Sequence, residues 1–270
     1  MSDFLEDAIT WRRAEVAASR KRVPDAEMRA QASLSPSPRL DWFHQSLRGG
    51  RANLAVIAEV KRVSPALGVL AEDLDPAAQA RRYVEAGARA VSVLTEARHW
   101  GGSMVDLGAV RAAVSVPILA KDVVVDEYQI YQFRAVGADA ILLIAEALAD
   151  DDQLRRLVAL CDRLGMCALV EAHEPTAFGR AVNSGARVVG VNARNLRKPS
   201  EIDVGRVRQL HTFVHADQIL VAESGIASVD DARMLPARVD AVLIGTALMR
   251  ADDPGPLIQS VASIKRTVHA

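Results

Sequence analysis

A series of short apolar runs follows residue 53, and nearly every one stops abruptly at polar or charged residues. The first, Leu54-Ala55-Val56-Ile57-Ala58, passes straight into Glu59-Val60-Lys61. A short continuous run of this kind predicts a strand buried on both faces. Side chains alternate along a strand, so Glu59 and Lys61 point to the same side. Ser64-Pro65 ends the segment, because proline has no amide hydrogen for a ladder. Similar runs predict strands over 54–60, 90–95, 117–121, 140–145, 167–172, 188–193, 219–223 and 241–245. Helical spacing fills the gaps at 75–87, 103–114, 126–136, 150–165, 174–184, 203–213, 228–235 and 255–267. Strands alternating with helices imply an α/β chain with a parallel sheet.

A repeat sharpens that expectation. Gly87-Ala-Arg-Ala-Val-Ser-Val-Leu, Gly137-Ala-Asp-Ala-Ile-Leu-Leu-Ile and Gly185-Ala-Arg-Val-Val-Gly-Val-Asn are versions of one phrase, with Pro236-Ala-Arg-Val-Asp-Ala-Val-Leu-Ile a degenerate fourth. Each reads as a glycine ending a helix, a tight turn and a buried strand. The phrase falls on every other predicted strand. A closed eight-stranded barrel fills its interior in layers drawn from alternate strands, so the pattern suits a (β/α)8 TIM barrel. No GxGxxG follows a strand, which weighs against a dinucleotide fold. Residues 1–50 read as an N-terminal helical extension and 51–270 as the barrel. Within the extension, Ile9, Arg12-Arg13, Val16 and Ala17 lie at helical spacing, and Pro24-Asp25-Ala26-Glu27 is a helix start. Residues 33–39 read as a connector, and Trp42 and Phe43 as the anchor of a turn or helix.

Composition narrows the classes. With 270 residues, half of them apolar, the chain can bury one sizeable core. A net charge of -1 offers no basic field for nucleic acid or an anionic membrane. No apolar run reaches the ~18 residues of a membrane span. The acidic start, Met1-Ser2-Asp3-Phe4-Leu5-Glu6-Asp7, does not read as a signal peptide. Cys161 and Cys167 form no CxxC pair, which favours a reducing, cytoplasmic setting. The histidines are scattered without metal-ligand spacing, and no cofactor motif occurs, so neither metal nor cofactor is expected.

The chemistry gathers at the strand ends: Glu59 and Lys61; Thr95 and Glu96; Lys121-Asp122; Glu171; Asn192 and Arg194; Glu223-Ser224-Gly225; Gly245-Thr246. In a barrel these tips meet on one face, where active sites lie. One charged strand end is more often a solvated loop residue, and a salt-bridge lid would also use lysines and glutamates. A cluster abutting apolar runs with Asn, Ser and Gly partners points instead to a site, since charges so close to a core must be paired. Gly225 and Gly245-Thr246 expose backbone amides after the last two strands, the usual phosphate position of the fold, and Ser64 adds a hydroxyl. Trp100, in Arg98-His99-Trp100-Gly101-Gly102-Ser103, is a loop anchor or a platform for a planar ring.

Taken together, the phrases Ile57-Ala-Glu-Val-Lys-Arg-Val-Ser-Pro, Ser92-Val-Leu-Thr-Glu, Gly102-Ser103, Pro117-Ile-Leu-Ala-Lys-Asp, Ala168-Leu-Val-Glu, Gly190-Val-Asn-Ala-Arg-Asn-Leu, Ala222-Glu-Ser-Gly-Ile and Leu243-Ile-Gly-Thr-Ala-Leu-Met resemble the indole-3-glycerol phosphate synthase family. The likeness runs from about residue 50 to 250, and a helical N-terminal extension also belongs to the family. It implies a carboxy-lyase of tryptophan biosynthesis. The substrate would be a small sugar phosphate, 1-(2-carboxyphenylamino)-1-deoxyribulose 5-phosphate, and the products indole-3-glycerol phosphate, carbon dioxide and water. By that resemblance Lys121 is the general acid and Glu171 the acid/base, with Glu59 and Lys61 a supporting pair. Asn192, Glu223 and Ser224 orient polar groups, and Arg194 faces the anthranilate carboxylate. Trp100 packs on the ring, and Ser64, Gly225, Gly245 and Thr246 hold the phosphate. A Lys proton donor working at neutral pH suggests a pKa lowered by burial or by a second cation, here Lys61. The family's larger residues are replaced by Ala66, Ala120, Val123 and Ala193, which are expected to enlarge the pocket. The alternatives are a paralogue with an altered substrate, a barrel of the phosphoribosylanthranilate isomerase type, and a non-catalytic phosphate-binding barrel. A monomer or weak homodimer is expected.

Overall fold

The computed structural model describes residues 3–36, 41–48 and 52–266. Eight parallel strands close into a ring: β1 (Ala55–Val60), β2 (Ala90–Leu94), β3 (Ile118–Lys121), β4 (Ala140–Ile144), β5 (Cys167–Ala172), β6 (Val188–Asn192), β7 (Ile219–Glu223) and β8 (Ala241–Ile244). Each pairs with its neighbours in sequence, and β8 closes onto β1 with Ala58 opposite Ile244. Each predicted strand is found, its ends within about one residue of the apolar run. The repeated glycines do what the pattern requires: Gly87, Gly137 and Gly185 have φ of 102°, 93° and 89°, reversing the chain between helix and strand.

Alternation splits the apolar residues into two cores. Outward residues such as Val56, Val91, Ile118, Ile141, Val170 and Val242 pack beneath the surrounding helices. Inward residues, among them Ile57, Ala90, Leu119, Leu142, Leu169, Val221 and Leu243, fill the barrel itself. The strands are therefore buried on both faces, as continuous apolar runs demand.

The N-terminal helices cover the two ends. Helix α1 (Phe4–Arg22) starts at Asp3, whose side chain accepts the amides of Leu5 and Glu6. Its Leu5, Ala8 and Ile9 pack into the inner core beside Val123 and Val125, residues that follow β3. Helix α2 (Asp25–Leu34) leaves Pro24 and lies along the helix Glu127–Val136. Helix α3 (Trp42–Arg48) presses Phe43 and Leu47 against the strand starts, closing the lower end. The connector predicted over 33–39 falls outside the described residues from residue 37 onward. Among the described residues, no helix is long and apolar enough to cross a membrane.

Two features were not expected. Val63–Ser64 pairs with Gly68–Val69 as a small antiparallel ribbon after β1. The chain after β8 forms a short helix, Thr246–Arg250, before the one that begins at Gly255. Both are too short to carry a periodic signal.

Candidate active site

The carboxyl ends of the strands surround a cavity of about 330 Å³. Lys121, the last residue of β3, is its centre. The Nζ lies 2.7 Å from Glu223 Oε2, 3.6 Å from Glu171 Oε2 and 3.9 Å from Glu59 Oε2. These carboxylates come from β7, β5 and β1, so the lysine reaches across the ring. Glu59 Oε1 is also 2.6 Å from Lys61 Nζ. The three glutamates are buried, with 3 %, 2 % and 1 % exposure for Glu59, Glu171 and Glu223.

Asn192 organises the adjoining edge. Its Nδ2 donates to Glu171 Oε2 at 3.3 Å, while its Oδ1 accepts from Ser224 Oγ at 2.8 Å and from the Arg194 amide at 3.0 Å. Its backbone carbonyl accepts from the buried His173 ring at 2.8 Å. Ser224 is held at φ 65°, a left-handed conformation unusual for a residue with a Cβ. Such strain, of order 1–3 kcal/mol, persists where surrounding bonds over-determine it.

Two glycines keep the centre open. A Cβ on Gly190 would lie 2.3 Å from Glu223 Oε1, and one on Gly245 would lie 2.1 Å from Glu59 Oε1 and 2.9 Å from Lys61 Nζ. Any side chain at either place would displace a carboxylate. A third glycine works on the rim: a Cβ on Gly102 would fall 2.2 Å from the carbonyl oxygen of Leu94, so only glycine lets the loop bearing Trp100 fold this tightly.

Electrostatics corrects one expectation. Burial alone would lower the pKa of Lys121, but Glu223, Glu171 and Glu59 outweigh it and raise it above the ordinary lysine range. Lys61 does not act as a second cation that discharges Lys121; it pairs with Glu59. Burial pushes Glu59 up, yet Lys61 and Lys121 hold it below its usual value. Glu223 goes the other way: burial, then the adjacent Glu171 charge, raise it well above the usual carboxylate range against the pull of Lys121.

The cavity has two characters. Trp100, Val123, Leu142, Ile144 and Leu196 make an apolar wall. Ser64, Gly225, Gly245, Thr246 and Arg250 add polar groups and backbone amides to the lining. Thr246 opens a helix, where the first amides have no partner within the helix. Among the described residues, no group of three or more His, Cys, Asp or Glu side chains is arranged to hold a metal ion.

The model of one family, indole-3-glycerol phosphate synthase, matches residues 5–261. The chain belongs to the indole-3-glycerol phosphate synthase family. An indole-3-glycerol phosphate synthase of Micrococcus luteus is 45 % identical over 268 residues, covering 98 % of each chain. One from Carboxydothermus hydrogenoformans is 42 % identical over 261 residues, covering 95 % of this chain and 98 % of its own. Among solved structures, a 3-hexulose-6-phosphate synthase superposes with a TM-score of 0.57 at 16 % identity, over 78 % of this chain and 99 % of its own. A thiamine phosphate pyrophosphorylase from Pyrococcus furiosus gives 0.56 at 17 %, over 78 % and 94 %. Those two likenesses concern the fold alone. Membership makes the chain a decarboxylating lyase of tryptophan biosynthesis.

For an indole-3-glycerol phosphate synthase family member, the convergence is nearly complete. Glu59, Lys61, Ser64, Trp100, Lys121, Glu171, Asn192, Arg194, Ser224, Gly225, Gly245 and Thr246 all line the one cavity. Glu223 lies at its floor, bonded to Lys121. Two strand tips serve structure instead. Glu96 caps a short helix, accepting the amides of residues 98–100, and Thr95 Oγ1 donates to Asp122 at 2.5 Å. Arg194 lines the cavity, but its guanidinium donates to the Pro199 carbonyl. Of the four smaller residues, only Val123 lines the cavity; Ala120 faces outward in the strand–helix core, and Ala66 and Ala193 lie off the lining. The expected general enlargement thus reduces to one position.

The sequence did not point to Arg250 on the cavity lining, Gly190 at the floor or Arg12 behind it. Arg12, on α1, donates to Asp122 Oδ2 at 2.8 Å, next to Lys121. Gly190 carried a signal, a glycine in mid-strand; Arg12 sat on a helical pattern like any surface arginine.

Proposed function

We propose that Lys121 and Glu171 carry the two proton-transfer roles in converting 1-(2-carboxyphenylamino)-1-deoxyribulose 5-phosphate to indole-3-glycerol phosphate, carbon dioxide and water. The supporting observation is the place of the Lys121 ammonium, surrounded by three buried carboxylates at the floor of the cavity. The aryl ring lies on the apolar wall with Trp100. The phosphate lies across Ser64, Gly225, Gly245 and Thr246, with Arg250 as an added cation. The sugar carbonyl then comes to Lys121. As the ring carbon attacks, negative charge grows on the carbonyl oxygen, where an ammonium stabilises the transition state more than the ground state. Loss of carbon dioxide restores aromaticity. Glu171, oriented by Asn192, exchanges protons as the hydroxyl leaves as water. Glu59 and Lys61 keep the neighbouring charge balanced, Glu223 and Ser224 orient the polar groups, and Arg194 faces the aryl carboxylate.

A raised lysine pKa suits this role. The group is protonated throughout the neutral range and becomes a donor to the sugar carbonyl as negative charge grows on its oxygen. Both cysteines are buried free thiols, in keeping with the reducing cytoplasm as the working compartment. The test is an indole-fluorescence assay with the carboxyphenylamino sugar phosphate and no added metal. Indole formation by the wild-type chain is expected; its absence from folded protein would overturn the reading.

A further inference from the structure

The floor of the site holds more acid than base. Lys61 and Lys121 bring two ammoniums to three carboxyl groups, Glu59, Glu171 and Glu223. Arg194, a further cation on the lining, donates to the Pro199 carbonyl and acts on Glu59 rather than on the other two. Lys61 serves Glu59 at 2.6 Å, which leaves Lys121 to serve both Glu171 and Glu223. These two side chains are 2 % and 1 % exposed, too deep for water to carry a second uncompensated charge. Nothing separates them, because Gly190 lies between them: its missing Cβ would be 3.3 Å from Glu171 Cβ and 2.3 Å from Glu223 Oε1. Glu223 Oε1 is buried and accepts no hydrogen bond. Two crowded carboxyls with one cation between them hold one proton in common.

We infer that Glu171 and Glu223 share a single proton in the resting site, and that this proton recharges Lys121 during turnover. The inference rests on the reaction proposed above. With the aryl carboxylate ionised, that conversion takes up one proton overall, since carbon dioxide and water leave and a neutral indole remains. When the carbon–carbon bond forms, the carbonyl π electrons move to oxygen, which takes a proton from Lys121 Nζ. The amine left behind is 2.7 Å from Glu223 Oε2, within reach of a direct transfer that restores the ammonium. Carbon dioxide leaves as its bond electrons return to the ring. Glu171, now an ionised base, takes a proton from carbon and gives it to the departing hydroxyl. The dyad regains its proton from solvent as product leaves. Burial and the Glu171 charge, which together push Glu223 toward its neutral form, agree with this arrangement.

The test uses no substrate, so its outcome stands apart from the outcome of the activity assay. Infrared spectra of the folded protein at neutral pH, in light and heavy water, report protonated carboxyl groups by their exchange-sensitive carbonyl stretch. Glu146, whose neutral form is favoured by burial and by the Glu171 charge, is replaced by Gln in every protein compared, so that its own band is absent. Glu223→Gln and Glu171→Gln are each expected to lose the same band, because either remaining carboxyl is then matched by Lys121. Lys121→Met, which removes the shared cation, is expected to gain a second band and serves where a glutamine variant does not fold. A band that survives either glutamine substitution, or no gain in Lys121→Met, would overturn the dyad.

Discussion

The barrel interior contains two regions built on the same strands. Below, Leu119, Leu169 and Val221 interlock as a dry core above the Phe43 and Leu47 floor. Above, at the next inward positions, Lys121, Glu171 and Glu223 crowd together with almost no solvent. A step of two residues along a strand exchanges dispersion and hydrophobic burial for buried ions. The lower region gains about 1.5–3 kcal/mol for each large side chain removed from water. The upper region gains little net stability, because desolvation offsets its Coulombic attraction. Stability and chemistry are therefore stacked, and the stable layers hold the costly one in place.

The largest effects should separate the two regions. Lys121→Ala removes the proposed proton donor and is expected to lower kcat by about 1,000-fold or more, with Glu171→Gln close behind, while phosphate-ligand binding stays near normal. Steady-state kinetics with parallel binding titration checks this, and near-normal turnover in both variants would remove the mechanism. Leu169→Ala, one step below Glu171, should do the reverse: a loss of about 2–5 kcal/mol by denaturant unfolding, with kcat little changed. Gly190→Ala probes the boundary. Its Cβ must displace the Glu223 carboxylate, so overpacking of about 1–3 kcal/mol should accompany a fall in kcat of about 10–100-fold, unlike a simple core mutation.

The last predicted effect is a pH slope, which touches stability alone. Burial raises Asp122 to about 6, even with Arg12 beside it. A carboxyl with a raised folded pKa binds its proton more tightly in the native state. Its contribution to stability is thus present in full below the ordinary aspartate range and is lost as pH rises toward about 6. The stability of wild type relative to Asp122→Asn should therefore fall between those limits by about 2–3 kcal/mol and then level off. Chemical denaturation of both proteins across that interval reads the difference directly, and a flat difference would contradict it.

The lower region was largely legible in the residues, and so were the members of the upper one. Apolar runs bounded by glycine and polar tips located the strands, and the alternation of Glu59 with Lys61 foretold one shared face. What did not follow was how the charges act on each other. The raised pKa of Lys121 depends on carboxylates brought in from β1, β5 and β7, which no local pattern reveals. Glu96 looked like a site residue because an N-cap and an active-site acid have the same address at a strand end. The ribbon at Val63–Ser64 and the helix Thr246–Arg250 lack the length to print a period.

The plug formed by Phe43 and Leu47 has a consequence for traffic. With Phe43 and Leu47 packed at that end and the inner layers filled, the described chamber opens at the carboxyl ends of the strands. On the substrate placement proposed above, gas formed at its inner wall would leave past the sugar chain at that mouth. Departure of carbon dioxide would then depend on how loosely that rim is held.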